Sequence, residues 1–92
     1  MSELSDCMAT TFKLPPSLSV FLAILVSVPT MTPAMVKKHV GGDGKATVYR
    51  LRRNLKGWGI KINSRRHVGY WIDDKDRARI KAYIEASTPE VT

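Results

Sequence analysis

Arg50, Arg52 and Arg53 stand together in one segment of this chain, and Arg65, Arg66 and His67 stand together in the next. A guanidinium is planar, always charged, and carries its donors in a rigid fork that fits a phosphate or the edge of a guanine. Such groups recognise anions rather than make or break bonds. No serine, cysteine or carboxylate pair stands in a recognisable catalytic arrangement, so no enzyme and no cofactor are expected. Asp73, Asp74 and Asp76 read as the acidic start of a helix, where caps and the helix dipole favour them, and not as a metal site. His39 and His67 have no companion at metal-ligand spacing, which leaves no metal site to propose. Trp58 and Trp71 would suit stacking on single-stranded bases. Trp58, however, lies between a helix stop and an apolar strand, the place for a hydrophobic seal.

The charge distribution narrows the partner. The 92 residues carry a net charge of +7. Between Ala34 and Ile72, ten basic residues (Lys37, Lys38, Lys45, Arg50, Arg52, Arg53, Lys56, Lys61, Arg65, Arg66) face Asp43 alone, a local balance of +9. Half of the ten are arginines, which tilts the reading from a solvated face toward phosphate contact. The single cysteine, Cys7, excludes an internal disulfide framework and a cysteine-based zinc site and suits a reducing cytoplasm, at the nucleoid in a bacterial or phage setting. The most apolar run, Leu18 to Val28, is too short to span a bilayer and follows Glu3 and Asp6 with only Lys13 between. It is expected to be a core helix, with no membrane partner.

The elements that must position these residues follow from periodicity. Residues 1–16 read as a polar leader, with Phe12 and Leu14 folding back onto the core. A first helix is expected from Ser17 to Val28, with Leu18, Phe21, Leu22 and Leu25 on one face and Val20 and Ile24 elsewhere. Thr32 caps a second helix that begins at Pro33, and Gly41 to Gly44 form a turn. A third helix runs from Lys45 to Lys56, its apolar stripe made by Val48, Leu51 and Leu55. Gly57 and Gly59 stop it. Ile60 and Ile62, then Tyr70 and Ile72, alternate as two half-buried strands around the polar loop Ser64 to Val68. Asp73 and Asp74 open a C-terminal helix from about residue 74, with Ile80, Tyr83 and Ile84 on one face, and 87–92 fray. The expected fold is mainly α with a small β-hairpin, one α+β domain over 17–86.

Val48-Tyr49-Arg50-Leu51-Arg52-Arg53-Asn54-Leu55, followed by Ile60-Lys61-Ile62 and Gly69-Tyr70-Trp71-Ile72, resembles the recognition helix and wing of response-regulator effector domains. Leu55 to Ile60 with Gly69-Tyr70 is equally similar to the N-terminal domain of biotin-operon-repressor-type regulators. Both are winged helix-turn-helix domains, a three-helix core plus a wing. The resemblance implies double-stranded DNA as the partner, with the third helix in the major groove and the wing on the adjacent minor groove or backbone. Lys45, Thr47, Arg50 and Asn54 would then lie near base edges. Lys37, Lys38, Arg52, Arg53 and Lys56 would hold phosphates, and Arg65, Arg66 and His67 would form the wing contact.

The chain departs from that pattern in several places. These 92 residues are expected to leave no room for a receiver domain, a four-stranded N-terminal sheet, a ligase domain or a ligand pocket, so neither phosphorylation control nor a small-molecule ligand is expected. His67 stands where the first family's wing usually has a second glycine, which points to a wider and more cationic tip. Two other readings use the same features: a protein-binding winged-helix adaptor, which has no need of Arg50, Arg65 and Arg66, and an RNA-binding module. The surplus apolar surface of the first helix and the strip Ile80, Tyr83, Ile84 suggest a homodimer through the first and C-terminal helices, the alternative being the C-terminal helix folded back on the first within one chain.

Overall fold

The computed structural model describes residues 3–42 and 44–87. Residues 1 and 2, Asp43 of the expected glycine turn, and residues 88–92 of the tail expected over 87–92 lie outside the described residues.

The N-terminal segment corrects the first expectation. Where a polar leader was read, Glu3–Phe12 form helix α1. Met8, Thr11 and Phe12, one turn apart on this helix, are buried in the core, and Leu14 follows them in, as anticipated for Phe12 and Leu14. With so few apolar residues among polar ones, the stripe is too sparse to read from periodicity, and what holds the helix is the surface it covers. It packs on α2 and α5. Phe12 meets Trp58 edge-on at 4.9 Å between ring centroids and Tyr83 at 6.2 Å, and Trp58 meets Tyr83 at 5.1 Å.

Helix α2 spans Pro16–Ser27, with Pro16 in the first turn, where its missing N–H costs nothing. Leu18, Phe21, Leu22 and Leu25 are buried as their spacing requires, and Val20 and Ile24 are half-buried on another face. Helix α3 spans Pro33–Val40; the Thr32 hydroxyl accepts from Met35 N at 3.3 Å, and Gly41 ends the helix in the left-handed conformation. Helix α4 spans Lys45–Leu55 and buries Val48, Leu51 and Leu55; a 3₁₀ turn, Lys56–Trp58, continues it until Gly59 stops it at φ 71°.

Strand β1, Asn63–Arg65, pairs antiparallel with β2, Gly69–Trp71, in the register Asn63↔Trp71, Ser64↔Tyr70, Arg65↔Gly69. The strand expected from Ile60 thus starts later. Ile60 and Ile62 are buried, as their alternation implies, but they lie in a connector, and the Lys61 N–H is taken by Asp76 Oδ2 at 3.0 Å. Alternation reports which side chains go inward; it does not report which backbone groups find a strand partner. On its other edge β2 bridges to Met31 through Met31 N to Tyr70 O at 2.7 Å and Tyr70 N to Met31 O at 3.0 Å. Gly69 makes this approach, at φ 120°, and a Cβ there would stand 2.1 Å from the Met31 carbonyl oxygen.

Helix α5, Asp74–Ser87, closes the structure. Ile80 is buried, and Tyr83 and Ile84 pack against the core. Arg77 donates to Ile72 O at 2.8 Å and Pro29 O at 3.0 Å, Arg79 to Gly59 O at 3.1 Å, and the Tyr83 hydroxyl to Trp58 O at 3.2 Å. Of the apolar strip that suggested a dimer through the C-terminal helix, Ile80 is buried within the chain and Tyr83 and Ile84 are half-buried against the core. The molecule is mainly helical with one two-stranded antiparallel sheet, an α+β fold. Among the described residues no single helix is long and apolar enough to cross a membrane; α1 and α2 reach that length only as a pair, bent by 111° at their break.

Candidate nucleic-acid interface

Because Val48, Leu51 and Leu55 turn one face of α4 inward, 3.6 residues per turn distributes the other side chains over three outward stripes. Lys45, Tyr49 and Arg52, at i, i+4 and i+7, line an open groove between α4 and the hairpin. Ser64, Arg65, Arg66 and His67 form its opposite wall, and Val48, Gly69 and Tyr70 also line it, in a space of about 1000 Å³. No carboxylate stands among the described residues that line it. Four Lys and Arg side chains and one histidine thus face one volume, and no carboxylate among the described lining residues opposes an anion that enters it.

Ala46, Arg50 and Arg53 form the second stripe, opposite the buried face, and all three are exposed. The Arg53 guanidinium lies over the Tyr49 ring, 5.9 Å from its centroid. This i, i+4 contact is a cation–π pair that restrains both side chains. The third stripe carries Thr47 and Asn54. Thr47 is half-buried and lines a different cleft of about 310 Å³, with Val20, Phe21 and Ile24 of α2 and His39 and Val40 of α3.

Of the four residues expected at base edges, Arg50 and Asn54 are exposed, but Lys45 and Thr47 fall on opposite flanks of the helix. The four do not share one face. The reason is angular: Lys45 and Thr47 are two positions apart, about 200° around a helix. Arg52, expected at a phosphate, is exposed but also tied into the fold. Its Nη2 donates to Ile62 O at 2.8 Å and to Ser64 Oγ at 3.2 Å, and its Nε to Ile62 O at 3.3 Å. It braces the start of the hairpin against α4. Arg53, Lys56, Lys37 and Lys38 are exposed, the first on the outward stripe, the second in the 3₁₀ turn and the lysines on α3.

The hairpin tip holds a non-glycine residue in the left-handed conformation. His67 has φ 67°, one of two non-glycine residues with positive φ among those described. Val68 N donates to Arg65 O at 3.0 Å across the turn. Left-handed φ costs a non-glycine residue roughly 1–2 kcal/mol. The tip bears that cost while presenting an imidazole beside Arg65 and Arg66 on the groove wall.

Tyr49 was missed as a site residue, although the signal was legible: an aromatic one position off the stripe Val48, Leu51, Leu55 has nowhere to be buried. It is 62% exposed. Asp74 and Asp76 sit in the first turn of α5, and Asp76 accepts from Lys61 N, a structural use for that carboxylate. Cys7 is a half-buried free thiol. Compared with known proteins, the chain matches no family model, no curated protein and no solved structure.

Proposed function

We propose that this protein binds double-stranded DNA sequence-specifically as a winged helix-turn-helix domain and acts as a small transcriptional regulator. The observation that carries the reading is the groove in which Lys45, Tyr49 and Arg52 of α4 face Arg65, Arg66 and His67 of the hairpin. In this reading α2, α3 and α4 are the three-helix core, α4 is the recognition helix, and the hairpin is the wing. With α4 in the major groove and the tip over the adjacent minor groove, the sugar-phosphate strand dividing the two grooves runs between helix and hairpin. That strand fits the cationic groove. Lys45 then holds a phosphate rather than a base, Arg50 and Asn54 approach the base edges, and Arg53, Lys56, Lys37 and Lys38 serve flanking phosphates.

A-form RNA keeps its major groove too deep and narrow for a helix, which favours DNA as the duplex partner. Selection on random DNA duplexes, followed by competition with an RNA duplex of matched length, tests the proposal. Enrichment of a defined site that RNA does not displace is the expected result. Equal competition by RNA, or no retained duplex, contradicts it.

A further inference from the structure

Only three large apolar side chains are clearly exposed among the described residues, Val40, Tyr49 and Val68, and Tyr49 is the most exposed of them at 62%. It is also the one that stands amid the basic residues of α4. Folding gains little from the ring there, because Val48, Leu51 and Leu55 already supply the apolar face of this helix. Its surroundings are cationic: Lys45 one turn before it, Arg50 beside it, Arg53 one turn after, and Arg65 and Arg66 across the groove.

We propose that Tyr49 is a specificity residue that reads a thymine by packing its ring against the C5-methyl group in the major groove. The inference rests on the DNA-binding reading and adds a base to it. A recognition helix brings the residues of its N-terminal half nearest the bases; Tyr49 lies in that half of Lys45–Leu55 and, about 40° around the helix from Arg53, at the edge of the groove that adjoins the outward stripe of Arg50 and Arg53, whereas Lys45 lies farther toward the strand. Among the base edges of the major groove, thymine alone displays an apolar group. A ring carried into that groove meets donors and acceptors everywhere except at this methyl. Arg53 restrains the ring from one side, so it arrives ordered and loses less freedom on contact. Ala46, exposed one turn away at i−3, is too small to keep a base from approaching. Stacking on an unpaired base fits less well, because such platforms use several aromatics in succession and here the guanidinium of Arg53 lies over the ring.

The test replaces each thymine of the selected duplex with deoxyuridine, one at a time, which removes the methyl and leaves the hydrogen-bonding pattern intact. At one position the wild-type protein should lose about fourfold in affinity, the equivalent of one buried methylene-sized group. Tyr49→Phe should show the same loss there, and Tyr49→Ala should show none. Equal losses in wild type and Tyr49→Ala at every position overturn the assignment, as does a selected site without thymine. Those outcomes leave duplex binding itself intact, whereas failure to bind any duplex would overturn the underlying reading and this one together. Unchanged melting temperatures of the two variants confirm that the comparison concerns binding alone, as the exposure of the ring implies.

Discussion

Arg50, Arg52 and Arg53 are near neighbours in sequence, yet each meets a different environment. Arg52 turns back onto Ile62 O and Ser64 Oγ, Arg53 lies on Tyr49, and Arg50 extends from the face opposite the core. Substitution by alanine should therefore separate them. Arg50→Ala should flatten base preference at one position of the selected site, a discrimination of about 1–3 kcal/mol, with little effect on stability. Arg53→Ala should weaken all duplexes, with an added loss on the selected site from the unrestrained Tyr49 ring. Arg52→Ala should lower folding stability by about 1–2 kcal/mol, as expected for lost charge-assisted hydrogen bonds, and loosen the hairpin for every duplex. Urea denaturation together with binding to selected and random duplexes reads all three. A common loss factor for Arg50→Ala on both duplexes would remove Arg50 from the bases. His67 stands at the tip, where the chain holds a histidine in the left-handed conformation.

Elements hold these residues in place, and Gly69 is the position on which the hairpin depends most. A methyl group there would collide with the Met31 carbonyl oxygen and push β2 off the Met31–Tyr70 bridge. Gly69→Ala should cost about 3 kcal/mol or more, through a left-handed strain and a backbone clash acting together, and should remove duplex binding in proportion to the unfolded fraction. A melting curve unchanged by Gly69→Ala would contradict the placement of the bridge. Much of this layer was legible in the sequence. The stripe Val48, Leu51, Leu55, the Thr32 cap with Pro33, and the inward alternation of Ile60, Ile62 and Ile72 each carry a local physical signal, and each is in place. What was not legible is tertiary. The partner of Met31 lies far along the chain, the start of β1 depends on which N–H Asp76 takes, and the occupation of Arg52 depends on where Ile62 O ends up. The distribution of Lys45 and Thr47 to opposite flanks was available from helical geometry alone. A grouping drawn from the resemblance obscured it.

For the molecule as a whole, α1 changes how the apolar surface is shared. It packs on the C-terminal helix and joins Trp58 and Tyr83 through Phe12, so part of the strip Ile80, Tyr83, Ile84 is buried within the chain. Phe12→Ala should destabilise the fold by about 3–5 kcal/mol, the range for removing a buried aromatic ring. Thermal or urea unfolding checks it, and a cost near zero would restore residues 1–16 to the role of an unpacked leader. The cationic side, meanwhile, is made by two elements that meet at one groove, and the partner should answer to both. The most direct measurement is the salt dependence of duplex affinity for the wild type and for an Arg65→Ala/Arg66→Ala variant. With about five to eight phosphates neutralised, log affinity should fall against log salt with a slope of roughly −4 to −7, and the variant's slope should be shallower by about 1 to 2. A wild-type slope near zero, or identical slopes for the two proteins, would contradict a DNA strand held between α4 and the hairpin.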